Sequence, residues 1–441
     1  MNIEKLFYIV TSTILVTIFL LFTFVFSPGT YRENFKNKEK VIYYVDHISS
    51  AHKKLIDKFN QKYKGQIRVE IINLSFDKFS TNERKDLLAR YLRSKSNRID
   101  IFSVDVIWVS RFKKWSVPLT KYIDSNHIKN LLPHTLKTCV FNDTLFAVPL
   151  YTDVALMFYR EDILKKLPDY ENYQRELEES ISWEKFFELK KKLERYSQAS
   201  KPFYIFQADK YEGLMCSFVE ILNNFGIDLM DNEQNLNLEN DRAKKAIQFL
   251  IDLVNKYKIS PKEVSNLREN ESYKYFSDND AFAVRGWPSF TSKDNKYVNP
   301  ELLPHIRKAP TPHLEGSKPA SVFGGWNLMV SKYSDKIPEV VKFIEFLIEP
   351  ESQKILYEEG GYLPVCQSLY DDSSFIAKHP DLMFYKKLFD QGIHRPMDEN
   401  YTTISDLISL NLSKAIEQNY SAEETIKKIV NQLKENVALA R

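Results

Sequence analysis

Apolar positions along the chain fall into blocks of different period, and these blocks predict its elements. The first block, Leu6 to Phe26, is an uncharged run broken only by Thr and Ser. At helical rise, a run of about 20 such residues crosses a bilayer. It reads as a targeting segment, either kept as a transmembrane anchor or cleaved after Gly29, where Ser27 and Gly29 supply small residues. Lys5 precedes the run, whereas Arg32, Lys36, Lys38 and Lys40 follow it. Taken alone, that count favours a cytoplasmic body; with one span and few flanking charges, the body itself decides the side. Gly29 to Lys40 is a polar linker, so residues 1–40 stand apart from the globular part.

The body opens with a strand, VIYYV at Val41 to Val45. Leu55, Ile56 and Phe59 then follow at helical spacing before a stop at Gly65, and Ile67 to Leu74 is the next strand. This βαβ start predicts a parallel sheet, with the first loop at a carboxyl end where such sheets place ligands. A helix over Glu83 to Leu92 leads to a strand from Asp100 to Trp108. Val140 to Tyr159 reads as a hairpin around Asn142-Asp143 and a long β segment, in which Pro149 marks a crossover between lobes. Helical stripes cover Ile181 to Glu194, Tyr211 to Gly226 and Asp241 to Tyr257. Ala281 to Trp287 and Phe323 to Val330 are further strands, separated by the proline-punctuated stretch from Ala309 to Pro319. The remainder is helical, with a break at Gly360-Gly361. No internal repeat or low-complexity tract is present, and the alternation predicts a two-lobed α/β protein.

Composition sharpens this picture. A chain of 441 residues exceeds one ordinary domain, and a net charge of +3 from 62 basic and 59 acidic residues offers no field for nucleic acid. Gly is scarce at 11 residues while Tyr and Phe number 25 and 30, which argues for aromatic packing over a glycine-rich nucleotide cradle. Cys139, Cys216 and Cys366 are far apart and odd in number, and read as buried free thiols.

No GxSxG, HExxH, P-loop or dinucleotide fingerprint occurs, and His47 and His52, five apart, miss the spacing of a helical metal pair. The expectation is therefore a protein without cofactor or metal, and not an enzyme. Chemistry concentrates instead where aromatics adjoin polar groups at strand ends: Asp105 with Trp108, Tyr151 with Asp153, Arg285 with Trp287, and Trp326 behind Gly324-Gly325. A sugar presents C–H faces and a rim of hydroxyls, so its site needs flat rings beside carboxylates and guanidinium forks.

Six segments in order, among them DIFSVDVIWVSRFKKW, VFNDTLFAVPLYTDVALMFYRED, FAVRGWPSF, FGGWNLMVSK and RPMDENYTTI, resemble the extracellular solute-binding proteins of ATP-driven (ABC-type) sugar importers, in particular the maltose and trehalose branch. The likeness covers nearly the whole chain after Val41. It implies a periplasmic-binding-protein-like fold of type II, with residues 41–150 and 305–357 in one lobe and 155–304 and 362–441 in the other. It further implies hinge closure on a carbohydrate or polyol, delivery to permease subunits, an extracytoplasmic location tethered through residues 6–26, and a monomer. By the same likeness Asp105 and Asp153 accept from hydroxyls, while Tyr151, Trp287 and Trp326 stack on or flank the rings. Gly325 allows close backbone approach, and Arg395 and Tyr401 reach in from the second lobe. The first loop, where such proteins often carry an acid, offers only Ser49 and Ser50. No lipid-bearing cysteine follows the apolar run. The alternatives are a ligand-sensing partner of a membrane kinase, and a glycoside-active enzyme using Asp105 and Asp153.

Overall fold

The computed structural model describes residues 3–25 and 39–439, apart from 76, 77, 80, 96, 198–200, 232, 234, 293 and 294. Three parallel strands start the body: β1 (Lys40–Asp46), β2 (Ile67–Asn73) and β3 (Ile101–Asp105), with β1 between the other two. The intervening helix Ser50–Lys62 turns Leu55, Ile56 and Phe59 inward, as their spacing requires. A hairpin of β4 (Val140–Phe141) and β5 (Thr144–Leu145) turns through Asn142 and Asp143, whose φ values of 47° and 56° match the left-handed pair of a type I′ turn.

Two sheets organise the rest. β6 (Val148–Val154) runs directly into β7 (Leu156–Arg160); β8 (Tyr204–Ile205), β9 (Ala283–Gly286), β10 (Ile306–Ala309), β11 (Ser321–Val330) and β12 (Gly392–Ile393) complete the set. The first sheet has the order β12-β11-β3-β1-β2, with β6 also on β11; the second has the order β10-β7-β9-β8. All ten residues of β11 are buried, which is why this strand is largely apolar, with Ser321 and Asn327 as its polar positions. The chain passes from the first sheet to the second between Val154 and Leu156, returns between Ala309 and Ser321, and passes over again after Ile393 to the helix Tyr401–Gln418, which packs on Glu212–Asn224 and Asp241–Asn255.

Three expectations are corrected. Pro149 is not at the crossover but inside β6, opposite Asn327 where the β6–β11 register shifts; a strand paired on one side and irregular there has no amide bond for proline to lose. Residues 306–309, expected in the first lobe, form β10 on the second sheet, because the antiparallel pairing of Ile306–Ala309 with Met157–Arg160 satisfies its backbone. Within 362–441, expected in the second lobe, Leu363 bridges Thr152 and β12 extends the first sheet. The three cysteines are buried and free.

A helix, Ile3–Val25, covers most of the N-terminal apolar run. Among the described residues, no helix is long and apolar enough to cross a membrane. The expected cleavage site and linker, within 26–38, lie outside the described residues.

At the first crossing His134 stacks on Phe323 with centroids 4.3 Å apart, and its Nε2 lies 3.2 Å from Thr152 Oγ1. Burial, and secondarily His394, lower its pKa from 6.5 to about 3. The unfolded chain takes up this proton near 6.5 and the folded one only near 3, so this stability is complete above pH 6.5 and is lost as pH falls. Acidification from pH 7 to 4.5 is expected to cost about 2 kcal/mol through His134. Urea unfolding of His134→Gln across that range should show a correspondingly flatter decline.

Candidate functional site

The carboxyl ends of the first sheet face the second lobe across a cleft of about 560 Å³, the size of pocket that holds a small ligand. β3 delivers Asp105, whose carboxylate also caps the next turn by accepting from the Ile107 N–H at 3.1 Å. β6 delivers Tyr151 and Asp153, two apart and hence on one face of the strand. β11 supplies Gly324, Gly325 and Trp326. Gly325 has φ +124°, and a Cβ there would sit 2.6 Å from the Tyr151 carbonyl, so only glycine fits between β11 and β6.

The second lobe contributes Trp287, just past β9. Its ring sits against β11: a Cβ on Gly324 would approach it to 3.0 Å. The guanidinium of Arg285 lies 5.1 Å from the ring centroid, and Tyr273 Oη accepts from the Trp287 backbone N–H at 3.1 Å. Trp287 is thus a half-buried ring fixed from below. Trp326 is placed differently, being 7% exposed, with the Arg84 guanidinium 4.1 Å over its face and Trp108 edge-on at 5.8 Å.

Charge in the cleft is unevenly committed. Arg395, from beyond β12, donates to Asp105 Oδ1 at 3.1 Å and to Glu212 Oε1 at 2.9 Å. Burial works against its charge, but Asp105 and Glu212 more than reverse this and hold its pKa well above the usual range. Asp153 Oδ1 is buried and has no hydrogen-bond partner within the protein. Burial, then the charge of Asp105, raises the pKa of Asp153 far above the ordinary carboxyl range. A group donating hydroxyl protons would satisfy that oxygen.

Ser49, Ser50, Asp105, Tyr151 and Asp153 all line the cleft, as do Trp287, Gly325, Trp326 and Arg395. Ser49 does so while its hydroxyl caps the helix Ser50–Lys62 and contacts His52 Nδ1 at 2.8 Å. Tyr401 does not line it: wholly buried, its hydroxyl donates to Glu212 Oε1 at 2.8 Å, which places it behind the cleft wall. Sequence reasoning missed Tyr362, whose ring pairs with Tyr151 at 4.4 Å, and Tyr211 and Glu212 at the start of a helix. It also passed over Asp46, the last residue of β1, which pairs with Arg84 at 3.0 Å and so fixes the cation over Trp326. An acid closing an apolar strand was the available signal. Among the described residues, no group of three or more His, Cys, Asp or Glu is placed to hold a metal.

Residues 46–354 match the model of the bacterial extracellular solute-binding protein family, which spans most of this two-lobed body. The chain belongs to that family. As a solute-binding protein of ABC transporters it acts outside the cytoplasm. A probable ABC transporter-binding protein of Deinococcus radiodurans is 25% identical over 360 residues, 80% of this chain and 83% of that one. An arabinooligosaccharide-binding protein of Bacillus subtilis is 22% identical over 77% of this chain and 74% of its own length. Among solved structures, the maltose-bound MalE3 of T. maritima superimposes with a TM-score of 0.80 at 29% identity, covering 89% of this chain and 99% of that one. A Thermotoga lettingae solute-binding protein bound with alpha-D-tagatose gives 0.77 at 22% identity, covering 90% and 99%. The latter likeness is one of fold.

Proposed function

We propose that this solute-binding protein takes a di- or oligosaccharide, or a polyol, between its lobes and presents it in the closed state to permease subunits. The observation that carries this reading is the pairing of a fixed, half-buried ring, Trp287, with the unpartnered buried carboxyl oxygen of Asp153 on the same cleft. A ring accepts the C–H face of a sugar and a carboxylate its hydroxyl rim. Asp105, Tyr151, Gly325 and the two serines complete the wall, and the fold-mate MalE3 holds maltose. Asp105 is tied to Arg395, which favours holding a ligand over acid–base chemistry on it, so the role is binding and not turnover.

The test is calorimetric titration with maltose, trehalose, arabinooligosaccharides, ribitol and mannitol. Saturable binding of at least one, weakened by Asp153→Asn, is expected. A flat response to all of them, with hydrolysis of an aryl glycoside instead, would favour the enzyme reading.

Residues 6–26 serve in this reading to direct the body out of the cytoplasm, since no described helix is long and apolar enough to hold it in a bilayer. Val10, Ile14, Leu15, Val16, Ile18, Phe19 and Leu20 are 50–68% exposed along Ile3–Val25, a concentration of bare apolar surface that water does not tolerate on its own. A shortened form released from carbonate-washed membranes is the expected result, and retention of the full chain there would overturn this reading.

A further inference from the structure

Arg395 stands on the last passage of the chain between the lobes, after β12 has joined the first sheet and before the helix Tyr401–Gln418 joins the second lobe. Its fork is divided. One nitrogen holds Asp105 at the end of β3, and the other holds Glu212 in the first turn of Glu212–Asn224. The side chains of Arg395, Glu212 and Asp105 are 2%, 7% and 13% exposed, so the bridge is shielded from water. Tyr401, outside the cleft lining, steadies Glu212 from behind at 2.8 Å.

The residues that follow continue the connection along the rim. Glu399 meets Lys113 at 2.9 Å, Arg111 Nη1 donates to Thr402 Oγ1 at 2.6 Å, and Asp406 accepts from Asn82 at 2.7 Å and from Lys85 at 3.2 Å. All of these partners belong to segments adjoining the first sheet. One short segment therefore carries both the buried bridge and the rim contacts.

We propose that Glu212 is a positioning residue for closure: through Arg395 it holds the second lobe against the Asp105 end of β3, independently of any contact with the ligand. A single guanidinium can span two carboxylates on different lobes only while those lobes are together. Opening forces Arg395 to release one of them, and a half-released buried ion group is costly. The bridge thus biases the lobes toward the geometry that the ligand completes, in the sense of a population shift. Of the rim contacts, Lys113–Glu399 and Asn82–Asp406 are exposed and screened and add little to this bias, whereas Arg111–Thr402 and Lys85–Asp406 are partly buried and add to it. The inference rests on the binding reading for its purpose, but not for its test.

Spin labels at Tyr122→Cys and Tyr257→Cys, exposed positions on opposite lobes, report interlobe distance in the full-length chain. Glu212→Gln is expected to move the unliganded distance distribution toward longer separations and to weaken maltose binding by about tenfold, chiefly through faster release. Tyr401→Phe should shift both in the same direction by a smaller amount, and it serves in place of Glu212→Gln should that variant not fold. Unchanged distances in both variants overturn the proposal. Weaker maltose binding by Glu212→Gln at unchanged distance also overturns it, since Glu212 would then be a ligand contact. If the parent chain binds no maltose, the sugar reading fails, whereas the unliganded distances still decide the bridge.

Discussion

Trp287→Ala is expected to weaken sugar binding by roughly 30- to 100-fold, about 2–3 kcal/mol, the range for removing a well-packed aromatic anchor at the centre of a contact. The ring rests on β11, over the Cβ-free Gly324, so a ligand between the lobes would meet it already oriented. Preorganisation matters here, because a ring that must be ordered on binding returns part of its contact energy as lost rotamer freedom. Arg285 and Tyr273 hold it in advance. Trp287→Phe should recover a substantial part of the loss, since a flat face returns with a smaller area. Isothermal titration of the three proteins with the tightest sugar of the panel decides it; equal affinities for parent and alanine variant would remove Trp287 from the site.

The same residue shows how much of the site was legible beforehand. Trp287, Asp105 and Asp153 sit at or beside the ends of strands, and a strand buried on both faces stands out as an apolar run, so its polar or aromatic end is conspicuous; Trp326 lies in the middle of β11 and was marked by the Gly-Gly pair before it. β11 and β9 were read for this reason. β8, of two residues, and the pairing of β10 on the second sheet were not, because short strands carry no period and their partners are chosen by the packed lobes. Tyr362 and Tyr211 come from helix ends and connections, where an aromatic residue looks the same whether it faces a cleft or a core. Tyr401 failed in the opposite sense: its place after an Arg-Pro segment suggested ligand contact, but the helix it begins turns it inward onto Glu212. Asp46 was lost because its carboxylate is spent on Arg84 and the Tyr44 hydroxyl, and pairing of that kind is invisible along one chain.

Glu220→Gln is expected to destabilise the folded chain by about 3–5 kcal/mol, the cost of leaving a buried cation without its counter-charge. Arg285 is 0% exposed, and Glu220 grips it twice, through Nε and Nη2, each at 2.9 Å. Gln207 Oε1 accepts from the third nitrogen at 3.2 Å, but it is neutral and cannot replace the carboxylate. Burial alone would lower the pKa of Arg285; Glu220 more than reverses this, which marks the pair as mutually dependent. The carboxylate has a second duty, because its Oε1 accepts from the Val322 N–H at 3.0 Å where the chain re-enters the first sheet. One acid on a second-lobe helix therefore fixes both the cation beneath Trp287 and the backbone at a crossing. Thermal and urea unfolding of Glu220→Gln measure the first role. The double variant Glu220→Gln with Arg285→Met removes the stranded charge and should regain stability relative to the single variant, yet sugar affinity should stay reduced because no cation then lies beneath the ring. A single variant as stable as the parent would show that water reaches Arg285 after all, and that the floor of the site is held by packing and not by charge.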